Sequence, residues 1–183
     1  MLPHSHIFVA WGLQKFLENR FASFKGADYR LIALASILPD LVDKPLAVFV
    51  FPEMKAGLLF AHAPIFHLPW FLLTRWRQAL WPYALAFTGH IIADRIWFFR
   101  ETFWFPLHGF RFHPWQHIGD LKSFGHAYRA MYKRRPDLFL YEVLAFVVLH
   151  WFIVSSGLTH RHALWQFIRT GRVAENAPPK QQD

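Results

Sequence analysis

Residues 31–51 form an apolar run of bilayer-spanning length that carries Pro39, Asp40, Asp43, Lys44 and Pro45 near its centre. A helix facing lipid does not keep two carboxylates at mid-depth, where each costs roughly 2.5–3.5 kcal/mol on insertion scales. Other parts of the chain must therefore fold around them. The spacing predicts a helix that ends near Leu38, then a Pro-Asp turn that points its carboxylates into a protected cavity, then a second apolar piece from Leu46.

The same conflict between apolar runs and ionisable residues recurs downstream. Residues 57–73 are interrupted by His62, Pro64, His67 and Pro69, which predicts a short helix or loop holding the two histidines. Residues 79–99 make a second run of spanning length and carry His90 and Asp94; residues 138–158 are the cleanest transmembrane candidate, with Glu142 and His150 inside. The chain is 54% hydrophobic and 17% charged with a mean hydropathy of +0.16, more apolar than a typical soluble domain and less than a transporter. The expected fold is all-α: a polytopic membrane helical bundle with Pro-broken helices around a buried polar site, formed by residues 1–172 as one domain. Residues 173–183 read as a polar, disordered tail. The N-terminus lacks a positive n-region and a small-residue cleavage site, so no cleaved signal peptide is expected. If all four runs crossed with the N-terminus inside, the basic 100–135 connection would face outward, against the positive-inside rule. Either one run, foremost the Asp-broken first, does not cross, or the orientation is reversed.

A net charge of +8 and a pI near 10.1 suit anionic lipid headgroups or phosphate-bearing ligands. A nucleic-acid partner is not expected, because no basic recognition helix or glycine-aromatic motif is present. With no cysteine, there is no thiolate metal site and no thiol nucleophile, so any metal must be held by His and carboxylate. Ser36, Ser123, Ser155 and Ser156 lack a nucleophile-elbow motif, and no Gly-rich phosphate loop occurs. Metal-activated water is therefore the chemistry with the strongest candidates.

Those candidates are His6, Asp40, Asp43, His62, His67, His90 and Asp94, all in apolar contexts in the first half of the chain. Ionisable groups in such surroundings are costly unless paired or bound to metal, so their clustering says more than any one member. His90 and Asp94, four residues apart on a helix, project from one face and can hold one ion. His and carboxylate donors suit Zn, Mn or Fe(II), and two ions about 3.5–4 Å apart would serve phosphate-ester hydrolysis.

The order Ser5-His6-Ile7, Leu38-Pro39-Asp40, His62 with His67, then His90-Ile91-Ile92-Ala93-Asp94 resembles the YdjM-like family of bacterial inner-membrane metal-dependent hydrolases. That family is distantly similar to zinc-dependent phospholipase C, and the likeness covers about the first 110 residues. It implies a divalent metal, zinc foremost, in one or two ions held by His6, Asp40, His62, His67, His90 and Asp94. Asp40 and Asp94 are then the catalytic carboxylates, with Asp94 as the bridge. It further implies an integral protein of the bacterial inner membrane that hydrolyses a phosphate ester; membrane location and basic charge alone extend the expected substrates to a lipid. The chain departs from the family in reading His62-Ala63-Pro64-Ile65-Phe66-His67-Leu68, without the family's Arg, Thr and Ser, and in separating Asp40 from Asp43 by two residues instead of one.

Plainer readings stand beside these. His90 and Asp94 also suit a buried ion pair between helices, His62 and His67 a proline kink with interfacial histidines, and Asp40 a helix-ending turn. His4 is an alternative to His6. His108, His113, His117 and His126 read as interfacial structure, and His160 and His162 as solvated. Arg129, Lys133, Arg134 and Arg135 suit solvent or anionic lipid; Arg95 and Arg100 suit snorkelling or a phosphate clamp. Glu142 and His150 read as helix–helix contacts. Two other function classes follow: a non-catalytic membrane protein with a structural ion or polar core, and a haem bundle using His90 and His150.

Overall fold

The first helix, α1 (Pro3–Glu18), starts on a proline, whose missing N–H costs nothing in a first turn. The second, α2 (Tyr29–Pro45), starts on Asp28, whose side chain accepts from the Arg30 amide as an N-cap. These and the elements below come from a computed structural model that describes residues 1–114, 121–136 and 138–173. The expected tail from residue 174 onward, and the aromatic and histidine positions Trp115 and His117, lie outside the described residues.

α2 does not stop at Leu38; it runs through Pro39 to Pro45 and continues into a π turn, Leu46–Val50. Pro39 removes one helix donor and crowds the turn before it. In that turn the Ser36 carbonyl is taken by the ring of His90, from a different helix. The helix nevertheless continues through the proline, and Asp40 and Asp43 project from one continuous α2.

Residues 57–73 break into 3-10 turns at Phe60–His62 and Pro64–Phe66 before a short helix, α3 (Leu68–Thr74). α4 (Trp81–Ala93) ends earlier than its hydropathy suggests: Asp94 is the C-cap and Arg95 takes a left-handed φ of 54°. At 13 residues, α4 is shorter than a straight bilayer span requires. A single-turn helix α5 (Arg100–Phe103) follows, then the amphipathic α6 (Leu121–Arg134). α7 (Leu138–Ser155) and α8 (Arg161–Thr170) complete the order. The fold is all-helical, and no strand occurs among the described residues. Among those residues one helix, Leu138–Ser155, is long and apolar enough to cross a membrane.

α2 packs most extensively on α4, and α1 is laid against both α2 and α7. Tyr29, Ile32, Ala86, Phe152 and Phe167 form the main core, closed by Trp11, whose indole N–H donates to the Tyr29 carbonyl at 2.8 Å. Gly12 sets the α1–α7 spacing, because a Cβ there would lie 2.2 Å from Val148 Cγ1. A second apolar cluster, with Leu59, Ala63, Phe105 and Phe112 buried, packs the loop that carries His62. Much of the remaining surface of α7 is exposed hydrocarbon, including Leu140, Leu144, Val147 and Val154.

Candidate metal centre

The site begins with a carboxylate that is not itself aimed at an ion. Asp43 is fully buried on α2, and its Oδ2 accepts the amides of Leu59 (2.7 Å) and His62 (3.1 Å) while Oδ1 accepts that of Ala61 (2.9 Å). It thereby fastens the 3-10 turn to α2. The same Oδ2 lies 2.7 Å from His62 Nδ1. Because that oxygen already accepts two amides, the contact assigns the donor role to Nδ1, which leaves Nε2 of the neutral ring as a lone pair.

His90 reaches the same state from the other side. Its Nδ1 donates to the Ser36 carbonyl at 2.7 Å, leaving Nε2 as an acceptor. The two Nε2 atoms face each other at 3.2 Å. Lone pairs in that arrangement repel unless a cation or a proton stands between them. Asp40 Oδ1 completes the group at 3.6 Å from His62 Nε2 and 3.8 Å from His90 Nε2. Donors about 2.0–2.1 Å from a tetrahedral zinc ion are separated by roughly 3.3–3.4 Å, close to these spacings. Asp40, His62 and His90 form a buried group that could hold a metal ion, and His6, His90 and Asp94 form a second.

The two groups share His90, which has one free nitrogen and serves one ion at a time. Asp94 Oδ2 lies 3.4 Å from His90 Nε2, while Oδ1 lies 3.3 Å from His6 Nε2 and 2.7 Å from the Met1 amine. His6 is stacked on His90 with centroids 4.0 Å apart and is 3% exposed, yet neither of its ring nitrogens is aligned for a hydrogen bond. An imidazole buried at that cost wants a partner. Burial, reinforced by His6, pushes His90 down to about 3, so the ring is neutral at physiological pH, as a ligand must be. Burial alone would raise Asp94, but the His6 ring, the Met1 amine and His90 outweigh it and hold the carboxyl below its ordinary range.

His67 is not brought into either group. Its Nε2–H donates to the Ala61 carbonyl at 2.9 Å and its Nδ1 accepts from the Thr88 hydroxyl at 3.1 Å, so both nitrogens are used. The ring stacks on Phe87 at 4.2 Å, and burial pushes it down to about 4. It braces the loop that carries His62. His4 is 42% exposed and lies toward Glu142 instead of the cluster. His150 is exposed on α7, and both nitrogens of His90 face protein groups, so these two do not form an axial haem pair. His113 meets Glu101 at 3.0 Å near the surface, while His108, His126, His160 and His162 are exposed.

A cavity of about 460 Å³ opens beside the cluster, with Asp40 and Asp94 in its wall. Lys44, Arg95 and Arg135 also line it, as do Leu58, Phe99 and Leu138. The Lys44 ammonium is 2.5 Å from Asp40 Oδ2, and the Arg95 guanidinium sits over the Tyr141 ring, 4.6 Å from its centroid. Glu142, also on the wall, accepts the Leu2 amide at 3.0 Å, the Tyr132 hydroxyl at 2.5 Å and the Ser5 hydroxyl. It thus caps the first turn of α1, which has no side-chain cap of its own, one residue before His6. The sequence signal for Asp43 was its i,i+3 spacing from Asp40; Ser36 and Glu142 carried none that links them to the histidines. Comparisons with protein-family models, curated proteins and solved structures returned no match.

Proposed function

We propose that the protein is a membrane-anchored, metal-dependent hydrolase of a phosphate ester, with Asp40 Oδ1, His62 Nε2 and His90 Nε2 as the ligands of a divalent ion. The observation that carries this is the pair of bare Nε2 atoms 3.2 Å apart, each fixed by a hydrogen bond on its other nitrogen. A divalent ion there would acidify a water molecule and draw charge from a phosphoryl oxygen. Asp94, 3.4 Å from His90 and backed by His6, stands where it can accept the proton of the attacking water or hold a second ion. Zinc suits the His-rich donor set, and manganese and iron(II) take the same ligands.

The membrane assignment is supported by the length and outward hydrocarbon of α7, and by a net charge of +8 that suits anionic lipid. α7 is the anchor. The shorter polar-bearing helices α2 and α4 form the body beside it, and crossing by more than one segment makes the bundle polytopic. The likeness of the His6, Asp40, His62/His67 and His90/Asp94 motifs to the YdjM-like family favours the bacterial inner membrane.

The decisive experiment is elemental analysis of purified protein beside the His90→Ala and Asp94→Ala variants, with p-nitrophenyl phosphate and its bis ester as substrates. The proposal expects metal in the wild type, loss of it in His90→Ala, and hydrolysis abolished in both variants. Equal metal in all three sinks the site. A second reading, a structural ion in a non-catalytic protein, is favoured by the complete burial of both histidine ligands. It predicts chelator-sensitive stability without turnover of either ester.

A further inference from the structure

The cavity beside the cluster has two unlike walls, and together they describe a ligand. One wall is ionic: Lys44, Arg95 and Arg135 with Asp40, Asp94 and Glu142. The Met1 amine is spent on Asp94 at 2.7 Å. Counted with the Met1 amine, four positive groups face three negative ones, so the wall is already slightly positive, and a bound divalent ion makes it suited to a doubly charged anion. Arg95 is placed there by its left-handed turn directly after Asp94 and is held over Tyr141, the Arg geometry that suits a planar clamp on phosphate. The other wall is hydrocarbon, from Leu58, Phe98, Phe99, Met131 and Leu138, the last at the start of α7.

The volume limits the hydrocarbon part. A water-sized group takes about 30 Å³ of liquid volume, and a methylene is of that size. The cavity of about 460 Å³ then holds a phosphate group and roughly ten methylenes, one chain and not two.

Resting on the hydrolase reading above, we infer that the substrate is a phosphate monoester of a single long apolar alcohol, with its phosphate between the Asp40/Asp94 end and Arg95/Arg135 and its chain along Phe99, Met131 and Leu138. The reaction adds water to phosphorus as the ester P–O bond breaks. The alcohol leaves with one proton of the water, inorganic phosphate keeps the oxygen and the other proton, and no electrons change hands. Alkyl and prenyl phosphates share this chemistry, and the two are separated by using decyl phosphate and farnesyl phosphate as parallel probes.

The test is calorimetric binding to metal-loaded, detergent-solubilised protein of butyl, hexyl, octyl and decyl phosphate, each below its micelle concentration, beside decanol and dihexanoyl phosphatidic acid. Each added methylene should tighten binding by up to about fourfold until roughly ten are present. Decanol should bind at least tenfold more weakly than decyl phosphate. Arg135→Gln should lose at least tenfold for decyl phosphate with metal content unchanged. Affinity independent of chain length, decanol equal to decyl phosphate, or tighter binding of the two-chain lipid overturns the inference. Farnesyl phosphate tighter than decyl phosphate assigns the prenyl class, and the reverse assigns the alkyl class. The hydrolase reading fails on a separate result, absence of metal and of p-nitrophenyl phosphate turnover. The wild-type ligand series needs no variant to fold.

Discussion

His62 and His90 turn their Nε2 atoms toward each other at 3.2 Å, and the other ring nitrogen of each is already engaged. His62 has given its Nδ1–H to Asp43 and His90 has given its Nδ1–H to Ser36. With Asp40 beside them, these two nitrogens could hold a metal ion. An ion bound to the folded state alone stabilises it by about 2.7 kcal/mol when present at a hundred times its Kd. Chelation should therefore lower the thermal midpoint of the wild type by several degrees, and should leave the His90→Ala midpoint where it was. A wild-type midpoint insensitive to chelator contradicts an ion at this position.

Asp43 gives a sharper test because it touches no ion. Replacing it by Asn removes the negative charge that fixes the His62 tautomer, and leaves at least one of the amides of Leu59, Ala61 and His62 without its acceptor. Metal affinity should fall 10- to 100-fold, the usual effect of losing an outer carboxylate partner, and stability should fall by about 1–3 kcal/mol. Titration of apo protein with zinc measures the first, and chemical denaturation of the apo form the second. An Asp43→Asn variant with wild-type metal affinity removes Asp43 from the centre.

His67 supplies one part of the acid dependence, beside His90, which burial also pushes down from 6.5. Burial pushes the His67 pKa from 6.5 down to about 4, so between those values the unfolded chain binds a proton that the folded protein refuses. Stability from this residue is complete above pH 6.5 and is lost as pH falls through 6 toward 4. The apo protein should show a thermal midpoint that declines over that window. His67→Asn, which carries no titrating group, should make the decline shallower, His90 still contributing, while lowering stability at neutral pH. An unchanged slope in the variant assigns the pH response elsewhere.

Part of this arrangement is legible in the chain and part is not, for physical reasons. The i,i+4 spacing of His90 and Asp94 and the carboxylate at Asp40 speak for themselves, because ionisable groups in apolar runs need partners. The end of the helix at Leu38 is misread because proline's cost is judged locally: Pro39 withholds a single donor, and the packing of α2 against α4 and α1 holds the helix through it. His62 and His67 look equivalent in sequence. Asp43 behind one and Ala61 with Thr88 around the other make them different, and those neighbours depend on a 3-10 turn that has no hydrophobic period. Hydropathy carries α4 on to Phe99, but the positive φ at Arg95 ends it at Ala93.

The approach of α1 to α7 sets how firmly His6 is held. A methyl group at Gly12 would meet Val148 Cγ1 at 2.2 Å, and a β-branched side chain on a helix cannot swing aside. Gly12→Ala should therefore cost about 1–3 kcal/mol, the usual range for overpacking, against the small gain in helix propensity. The double variant Gly12→Ala with Val148→Ala should recover most of that loss, measured by denaturation in detergent. Failure to recover places the cost outside this contact.

α7 decides whether the protein lies in a membrane. Its buried side carries Glu142, Ala145 and Phe152 inward to α1 and the core, while Leu140, Leu144, Val147 and Val154 are left on the outside. In water that surface is a large continuous apolar patch, of the kind that marks an interaction face or aggregates. In a bilayer it is covered by acyl chains. A Lys at Val147, near the middle of the helix, should cost about 2.5–3.5 kcal/mol of insertion free energy, whereas the same residue at Phe139, near its end, can snorkel and should cost much less. Expressed in bacteria, the wild type should stay with the membrane fraction through alkaline carbonate, and Val147→Lys should shift toward the extractable fraction more than Phe139→Lys. Recovery of the wild type in the soluble fraction without detergent contradicts the anchor and leaves the exposed face of α7 as a contact for another protein.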